Sequence, residues 1–301
     1  MFVQSRITRK ILLAAYHQYA SACVFYPGPR TLIISIPKAG THMLTATLNS
    51  FPKLMSSQRH IRMPDVADIE KTLLNEDEFF VPDVVKLKAA LNKIRKGQFG
   101  SAHFFYNRDV EGVLKNLDFK IIFVIRDPRD IVVSQYKYIS NLKRHPYHDF
   151  FLEQLKTPEA QLRACIEGIK GADVYRKNNG LKFMSNDFAG IADKLRAYGG
   201  WLDSPIVQTV SFEKLRGLAG GGDDATRIEG FNSIAKHINR EMPEERLIKL
   251  LGASKTTKSA TFRKGTIGEW RKYFKEEHVE LFKELGGDLL IEYGYESNLN
   301  W

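Results

Sequence analysis

Three apolar runs rich in β-branched residues constrain the fold of this chain more than any other feature. They cover residues 31–36 (TLIISI), 119–125 (FKIIFVI) and 206–210 (IVQTV), and turn residues and helix-like stretches such as 41–49 and 130–142 follow them. Near-continuous apolar strands that alternate with helices are typical of a parallel sheet covered on both faces. Ligands of such sheets bind beyond the carboxyl ends of the strands, so the segments after these runs are the candidate functional sites.

Length and composition predict one globular domain over residues 1–301. The chain is 43% hydrophobic and 27% charged, as in an ordinary water-soluble domain. We find no internal repeat, and one glycine-rich patch at 217–224 (GLAGGGDD) predicts a flexible surface loop.

The chain is basic, with 45 Lys+Arg against 35 Asp+Glu and a formal net charge of +10. The positive charges either lie on a solvated surface or create an electrostatic field that attracts an anionic ligand. Net charge alone does not show whether that ligand is nucleic acid, an anionic lipid or a phosphorylated nucleotide. Cys23 and Cys165 show neither CxxC spacing nor clustering with histidine, which disfavours a disulfide framework or a zinc site and suits the cytoplasm.

Residues 1–27 predict a basic amphipathic helix. Apolar side chains follow helical spacing among several cations, and His17 and Gln18 interrupt the apolar stretch that an export signal would need. Such a helix packs against the body of the protein or, alternatively, contacts an anionic membrane surface peripherally. No run of about 18 apolar residues predicts a transmembrane helix.

The turn after the first run, residues 36–42 (IPKAGTH), has the composition of a phosphate-binding loop. Gly40 permits close approach of the backbone, and the N-terminus of the next helix offers free N–H groups. Thr41 can cap that helix or bind a phosphate oxygen, and Lys38 adds a mobile positive charge. A Walker A loop is excluded because its lysine follows the glycine, whereas Lys38 precedes Gly40.

The second run ends in Arg126, and a helix follows. Asp127 is a suitable N-cap, Pro128 fits the first helical position, and Asp130 would complete a pair resembling a capping box. Arg126 would project into the ligand crevice. Ser134, about two turns into the helix, either faces that crevice to help bind a terminal phosphate or is a small residue at a helix contact.

A late segment, residues 262–270 (FRKGTIGEW), places two cations beside a glycine. Backbone N–H groups near Gly265 can form an anion-binding nest whose charge partners are Arg263 and Lys264, although a solvated basic turn would look the same. Trp270 and the aromatic residues after it are expected to pack the next helix onto the body.

These segments, in this order, resemble the PAPS-dependent sulfotransferase family, where PAPS is 3′-phosphoadenosine 5′-phosphosulfate. PKAGTH at 37–42 is similar to the family's 5′-phosphosulfate loop, IRDPRDIVVSQY to its 3′-phosphate motif, and FRKGTIGEW to its late RKGxxG[DE]W motif. The resemblance spans roughly residues 32–274. It implies an α/β three-layer sandwich with a central parallel sheet and a P-loop-like strand–loop–helix that binds the phosphosulfate.

The resemblance also implies roles for individual residues. Lys38 would contact the oxygen that bridges phosphate and sulfate, and Ser134 would hydrogen-bond this lysine and restrain idle hydrolysis of the donor. The 5′-phosphate would be held by Ala39, Gly40, Thr41 and His42. The 3′-phosphate would be bound by Arg126, Ser134, Arg263, Lys264 and Gly265. No metal is implied.

His103 matches the position of the family's general base. A hydroxyl is a poor nucleophile, and a neutral imidazole with a pKa of about 6.5 can accept its proton. A histidine of the core or surface is the plain structural alternative for an isolated residue. His60, His145 and His148 have no such match.

Three positions depart from the family pattern. Ala39 stands where serine is common, Met43 replaces a frequent tryptophan beside the adenine, and Ile191 aligns where a tyrosine often contacts the adenine. A thioether and an aliphatic side chain can still cover a purine face, so PAPS remains the predicted donor.

The sequence therefore predicts a sulfotransferase that moves the sulfuryl group of PAPS to a hydroxyl, with no nucleic acid as partner. The acceptor would contact residues 58–100 and 145–186, where aromatic residues such as Phe79, Phe80 and Tyr147 lie; a carbohydrate, a glycolipid, or a small alcohol or phenol fits. The alternatives are a non-catalytic binder of PAP (3′-phosphoadenosine 5′-phosphate) or other anions, and a P-loop nucleotide kinase or NTPase.

Overall fold

A computed structural model describes residues 27–74, 80–170, 188–253 and 265–301. Its centre is a five-stranded sheet in which every pair of neighbours is parallel, in the order β2-β3-β1-β4-β7. The strands are β1 (Arg30–Ser35), β2 (Met55–Ile61), β3 (Gln98–Ala102), β4 (Phe119–Ile125) and β7 (Val207–Ser211), and a separate antiparallel pair is formed by β5 (Gly168–Ile169) and β6 (Phe188–Ala189).

Helices cover both faces of the sheet. They are α1 (Thr41–Leu48), α2 (Ile69–Leu74), α3 (Val84–Leu91), α4 (Arg108–Asn116), α5 (Pro128–Asn141), α6 (His148–Glu153), α7 (Pro158–Glu167), α8 (Ile191–Gly199), α9 (Phe212–Arg216), α10 (Asp224–His237), α11 (Glu244–Ala253) and α12 (Glu276–Glu292). Short 3₁₀ turns lie at Met63–Asp65, Leu218–Gly220 and Glu269–Lys272.

The central strands explain the three layers. Leu32 and Ile34 of β1 belong to one hydrophobic cluster, and Ile33 between them belongs to the other. All three are 0% exposed. Because successive side chains of a strand point to opposite faces, an unbroken apolar run fills two cores at once. The predicted three-layer α/β fold with a parallel sheet is confirmed.

Two strands of the central sheet were not predicted, because their sequences lack the apolar signal. β2 (MSSQRHI) lies at an edge of the sheet, and its residues 58–60 are exposed. β3 (QFGSA) contains Gly100, where a Cβ atom would lie 2.5 Å from Cδ1 of Ile94. Both strands overlap the stretch 58–100 that the sequence assigned to acceptor contact. Phe80 in that stretch is 1% exposed and stacks on Phe104 in the core. Acceptor contact by this stretch stays a prediction.

The start of α5 both confirms and corrects the sequence interpretation. Asp127 is the N-cap and accepts a hydrogen bond from the Arg129 N–H at 2.9 Å. Asp130 does not complete a capping box. Its two carboxylate oxygens accept the N–H groups of Gly268 and Trp270, each at 2.9 Å. Asp130 therefore attaches the late segment to α5, where the Trp270 ring covers the Arg129 guanidinium at 4.2 Å.

Two predicted segments have different outcomes. Residues 217–224 form a hydrogen-bonded turn, and the Gly220 carbonyl accepts the Ile267 N–H at 3.0 Å; the mobility of this turn stays a prediction. The amphipathic helix at residues 1–27 falls almost wholly outside the described residues. Within the described ranges, none of the helices combines the length and apolar character that crossing a bilayer requires.

Replacing Asp130 with asparagine should destabilise the protein. The amide places an NH₂ group against one of the two backbone donors and removes the charge that faces Arg126 at 3.6 Å. We expect Asp130→Asn to lower the free energy of unfolding by about 1–3 kcal/mol in urea denaturation. Asp288→Asn, the same change at an exposed position of α12, is the control and should stay within about 0.5 kcal/mol of the parent protein. Equal stability of the two variants would contradict the role of Asp130.

Candidate active site

A cleft of about 360 Å³ opens where β1, β3, β4 and β7 end. Parallel strands bring their carboxyl ends to one edge, so four connecting segments meet there. The residues that line the cleft are Pro37, Lys38, Gly40, Thr41, His42, Met43, His103, Arg126, Ser134, Lys137, Tyr138, Asn141, Leu142, Phe212, Gly265 and Glu269.

The backbone of the loop between β1 and α1 lies at the wall of the cleft. Lys38 has a φ of 76° and Gly40 a φ of 120°, so the chain reverses sharply before the helix begins. A Cβ atom on Gly40 would lie 2.6 Å from Cδ2 of Phe212. Position 40 therefore requires glycine for two reasons: its positive φ, and the lack of space for a side chain. Gly40 is also the N-cap of α1, so of the two interpretations of Thr41 the one as helix cap is wrong, and its contact with a phosphate oxygen stays a prediction. The N-terminus of α1 is directed at the cleft, as an anion site requires.

Thr41 instead belongs to a hydrogen-bond network with the end of β1. Its Oγ1 lies 2.5 Å from Oγ of Ser35, and that hydroxyl lies 3.4 Å from Nδ1 of His103. Nδ1 of His103 is also 2.7 Å from the Ser35 carbonyl oxygen. The phosphate loop and the candidate base are thus anchored on the same residue of β1.

The Ser35 carbonyl determines which nitrogen of His103 can act as a base. A carbonyl only accepts, so Nδ1 must carry the proton and Nε2 keeps its lone pair. Burial lowers the pKa of His103 to about 4, against a smaller opposing effect of the Ser35 hydrogen bond, and positive charge on His60, His42 and Lys38 adds to the lowering. His103 is therefore a neutral imidazole at physiological pH. His60, which the sequence gave no role, lies edge-on to it with ring centroids 4.9 Å apart.

Lys38 lies against α5. Its Nζ is 3.6 Å from the ring centroid of Tyr138, a cation–π contact. Ser134 is four residues earlier on the same helix and lines the same cleft. Lys38, Ser134 and Tyr138 thus line one cleft.

Arg126 is 6% exposed and holds two segments together. Its Nη1 donates to the Lys38 carbonyl at 3.4 Å and its Nη2 to the Thr266 carbonyl at 3.3 Å. The guanidinium lies 4.5 Å from the ring centroid of Phe212. Its buried Nε has no hydrogen-bond partner among the described residues. A buried guanidinium with unused donor capacity suits an anionic ligand.

The structure therefore brings most of the predicted residues together. The cleft is lined by Lys38, Gly40, Thr41, His42, His103, Arg126, Ser134 and Gly265, and by Met43. Ala39 is 0% exposed behind the loop, and Ile191 is 1% exposed in the core, so an adenine contact by Ile191 is wrong. Arg263 and Lys264 lie outside the described residues. Tyr138 and Phe212 were missed because an aromatic residue in a helix gives no signal that separates a cleft wall from a core.

Acidic residues around the cleft are already paired. Glu269 forms an ion pair with Lys137 at 2.6 Å, and Asp130 binds backbone N–H groups as described above. In the described part of the chain, we find no cluster of three histidine, cysteine or acidic side chains arranged to hold a metal ion.

Comparison with known proteins identifies the family. The family model for the sulfotransferase domain matches residues 28–185, more than half of the 301-residue chain. The chain belongs to the sulfotransferase domain family. It is 25% identical over 170 residues to sulfotransferase 1E1 of Rattus norvegicus, which is 55% of this chain and 52% of that protein. It is 24% identical over 231 residues to flavonol 3-sulfotransferase of Flaveria bidentis, which is 66% of this chain and 65% of that protein. The matches thus span between half and two thirds of these relatives.

Solved structures show the same fold. Mouse sulfotransferase SULT7A1 in complex with PAP aligns with a TM-score of 0.56 at 17% identity, covering 91% of this chain and 88% of that one. Retinol dehydratase in complex with retinol and PAP aligns with a TM-score of 0.51 at 14% identity, covering 90% and 83%. At these identities the likeness supports the sulfotransferase fold of the chain.

The assignment of the Nδ1–H tautomer and the lowered pKa of His103 can be tested by ¹⁵N NMR of the imidazole. We expect Nδ1 to show the protonated and Nε2 the unprotonated shift at pH 7, with a titration midpoint at a pH of about 4. As the pH falls from 6.5 towards that midpoint, the unfolded chain binds a proton that the folded one does not, so this group lowers stability in acid. A midpoint near 6.5 or an Nε2–H tautomer would contradict the assignment.

Proposed function

We propose that this protein transfers the sulfuryl group of PAPS to a hydroxyl group of an acceptor and releases PAP. The observation that carries the proposal is the convergence of Lys38, His103, Arg126, Ser134 and Gly265 on one cleft at the carboxyl edge of the sheet. Four of these residues come from three motifs that together span more than 200 positions, and His103 lies between the first and the second motif. The match of the chain to the sulfotransferase domain family supports it.

The two ends of the cleft suit the two phosphate groups of the donor. At one end, the Lys38 side chain and the backbone from Ala39 to His42, which runs through the N-cap into the first turn of α1, would bind the 5′-phosphosulfate. At the other end, Arg126, Ser134 and Gly265 would bind the 3′-phosphate, and the resemblance adds Arg263 and Lys264. The PAP in the titles of the aligned structures supports this choice of nucleotide.

The proposed mechanism of sulfuryl transfer depends on the neutral Nδ1–H tautomer of His103. Its Nε2 would accept the proton of the acceptor hydroxyl, while that oxygen attacks sulfur and the bond from sulfur to the bridging phosphate oxygen breaks in line. Lys38 would meet the negative charge that develops on the leaving phosphate. Each turnover releases one proton, which His103 returns to solvent. Because the Ser35 carbonyl binds Nδ1, the imidazole needs no change of tautomer before it accepts a proton.

The acceptor is proposed as a hydroxyl compound: a carbohydrate, a glycolipid, or a small alcohol or phenol. The names of a relative and of an aligned complex, which mention a flavonol and retinol, support a hydroxylated small molecule. A cytoplasmic location and a peripheral membrane contact through residues 1–27 remain part of the proposal. Incubation with ³⁵S-labelled PAPS and fractionated extracts would identify the labelled product.

Two other functions make different predictions. A non-catalytic binder of PAP would show affinity without product for any acceptor, and a P-loop nucleotide kinase or NTPase would bind ATP with Mg²⁺. The base-competent tautomer of His103 favours catalysis over mere binding, because a binder has no need for an unprotonated nitrogen in the cleft.

Removal of the base should stop transfer and leave donor binding intact. We expect His103→Ala to lower kcat at least ~100-fold, with PAP affinity retained. His103→Asn is the sharper variant, because its amide can still donate to the Ser35 carbonyl but offers no basic nitrogen. Both variants are assayed with ³⁵S-labelled PAPS, and PAP binding is measured by calorimetry. Near-normal turnover in either variant would remove His103 from its role.

Removal of the Arg126 side chain should weaken the binding of the nucleotide product, PAP. We expect Arg126→Ala to weaken PAP binding by about 2 kcal/mol or more, since a charge-assisted contact to phosphate is lost in a buried site. Calorimetry measures the affinity. Arg240→Ala is the control, since Arg240 donates to the backbone carbonyl of Lys53 away from the cleft. Unchanged PAP affinity of the Arg126 variant would contradict the site.

A further inference from the structure

A further buried guanidinium, that of Arg216, lies against Gly265. Arg216 ends α9, the short helix after β7, and is 9% exposed. Its Nε donates to the Gly265 carbonyl at 3.0 Å. Arg216 is not part of the motifs identified in the sequence, and it is not among the residues that line the cleft.

Gly265 is confined by this contact. Its φ is +55°, a left-handed conformation, and a Cβ atom would lie 3.0 Å from Nε of Arg216 and 3.4 Å from Cζ of Phe212. Phe212 in turn lies against the Arg126 guanidinium. The conformation of Gly265 is therefore set by two side chains of α9. Fixing the Gly265 carbonyl also fixes the direction of the Thr266 N–H, since both belong to the same planar peptide unit.

Three guanidinium groups contribute positive charge to this region. Burial lowers the pKa of Arg216, and the charges of Arg227 and Arg126 lower it further. The carboxylate of Asp130 lies 3.6 Å from Arg126, yet it also accepts two backbone N–H groups. Like charges held together in a buried region repel one another, and a bound dianion relieves that repulsion.

We propose that Arg216 is a positioning residue that gives the protein its preference for nucleotides with a 3′-phosphate. It fixes Gly265 in its left-handed conformation and adds a positive charge behind the phosphate. The inference rests on the proposed function, because it requires that Gly265 face the 3′-phosphate. It adds to that proposal a residue which binds no ligand directly.

The experiment compares two nucleotides that differ only in the 3′-phosphate. Calorimetry gives the dissociation constants of PAP and of adenosine 5′-monophosphate for the parent protein and for Arg216→Gln. We expect the variant to bind PAP at least ~10-fold more weakly and to bind the monophosphate within about twofold of the parent protein. A residue with a general structural role would weaken both nucleotides alike or change only the melting temperature.

Arg216→Lys tests the same point with the charge retained. Lysine keeps the positive charge but cannot reproduce the Nε contact with the geometry of the guanidinium, so we expect an intermediate loss of about three- to tenfold for PAP. This variant decides the matter if Arg216→Gln does not fold. Arg240→Gln is the matched control, since Arg240 also donates to backbone carbonyls, at Lys53 and Asn239, and it should leave both affinities unchanged.

The outcomes separate the two proposals. If the parent protein does not bind PAP, the proposed function fails. If the parent protein binds PAP and the Arg216 variants keep the same ratio of the two dissociation constants, the proposed function stands and the role of Arg216 is overturned.

Discussion

The parallel pairing of β1 with β4 is the constraint on which the rest of the structure depends. The register pairs Ile34 with Phe123 and Ser35 with Val124, so the two strands end within a residue or two of each other. The loop after Ser35 and the side chain of Arg126 therefore begin at the same edge of the sheet. Because they are this close, the Lys38 carbonyl can accept a hydrogen bond from Arg126. A slip of one residue would turn the apolar side chains of one strand to the wrong face. The cores that fix the register thus also fix the distance between the two ends of the cleft.

Charged side chains extend this arrangement to the late segment, whose described part, residues 265–270, contains no strand. Asp130 binds the backbone at Gly268 and Trp270, while Arg126 binds the carbonyl of Thr266 between them and the cleft. Both residues belong to the motif that begins at the end of β4. A buried carboxylate and a buried guanidinium are costly unless their hydrogen bonds are made. The late segment supplies those hydrogen bonds, and its position beside the cleft follows from them.

Sequence reasoning succeeded where one residue type has one physical use, and it failed where the use depends on tertiary context. The apolar runs at β1 and β4 predicted their strands because strands buried on both faces are apolar throughout. Gly40 and Asp127 were recognised because the turn and the cap each demand particular residues. β2 was missed because an exposed edge strand carries polar residues. Asp130 suited a capping box by spacing, but its real partners lie 138 and 140 positions away. Arg216 is an ordinary basic residue at a helix end until its Gly265 contact is seen.

The same strand end that leads into the candidate phosphate loop also holds the candidate base. The side chain of Ser35 binds Thr41 of the loop, and its carbonyl binds Nδ1 of His103 at the end of β3. Since β1 and β3 are hydrogen-bonded neighbours, the distance between the loop and the imidazole is set by the sheet rather than by side-chain rotation. Nucleotide and acceptor would then meet at a place defined by backbone geometry. Catalytic groups held by rigid elements lose little entropy when the reactants bind, which favours direct transfer between two substrates in one cleft.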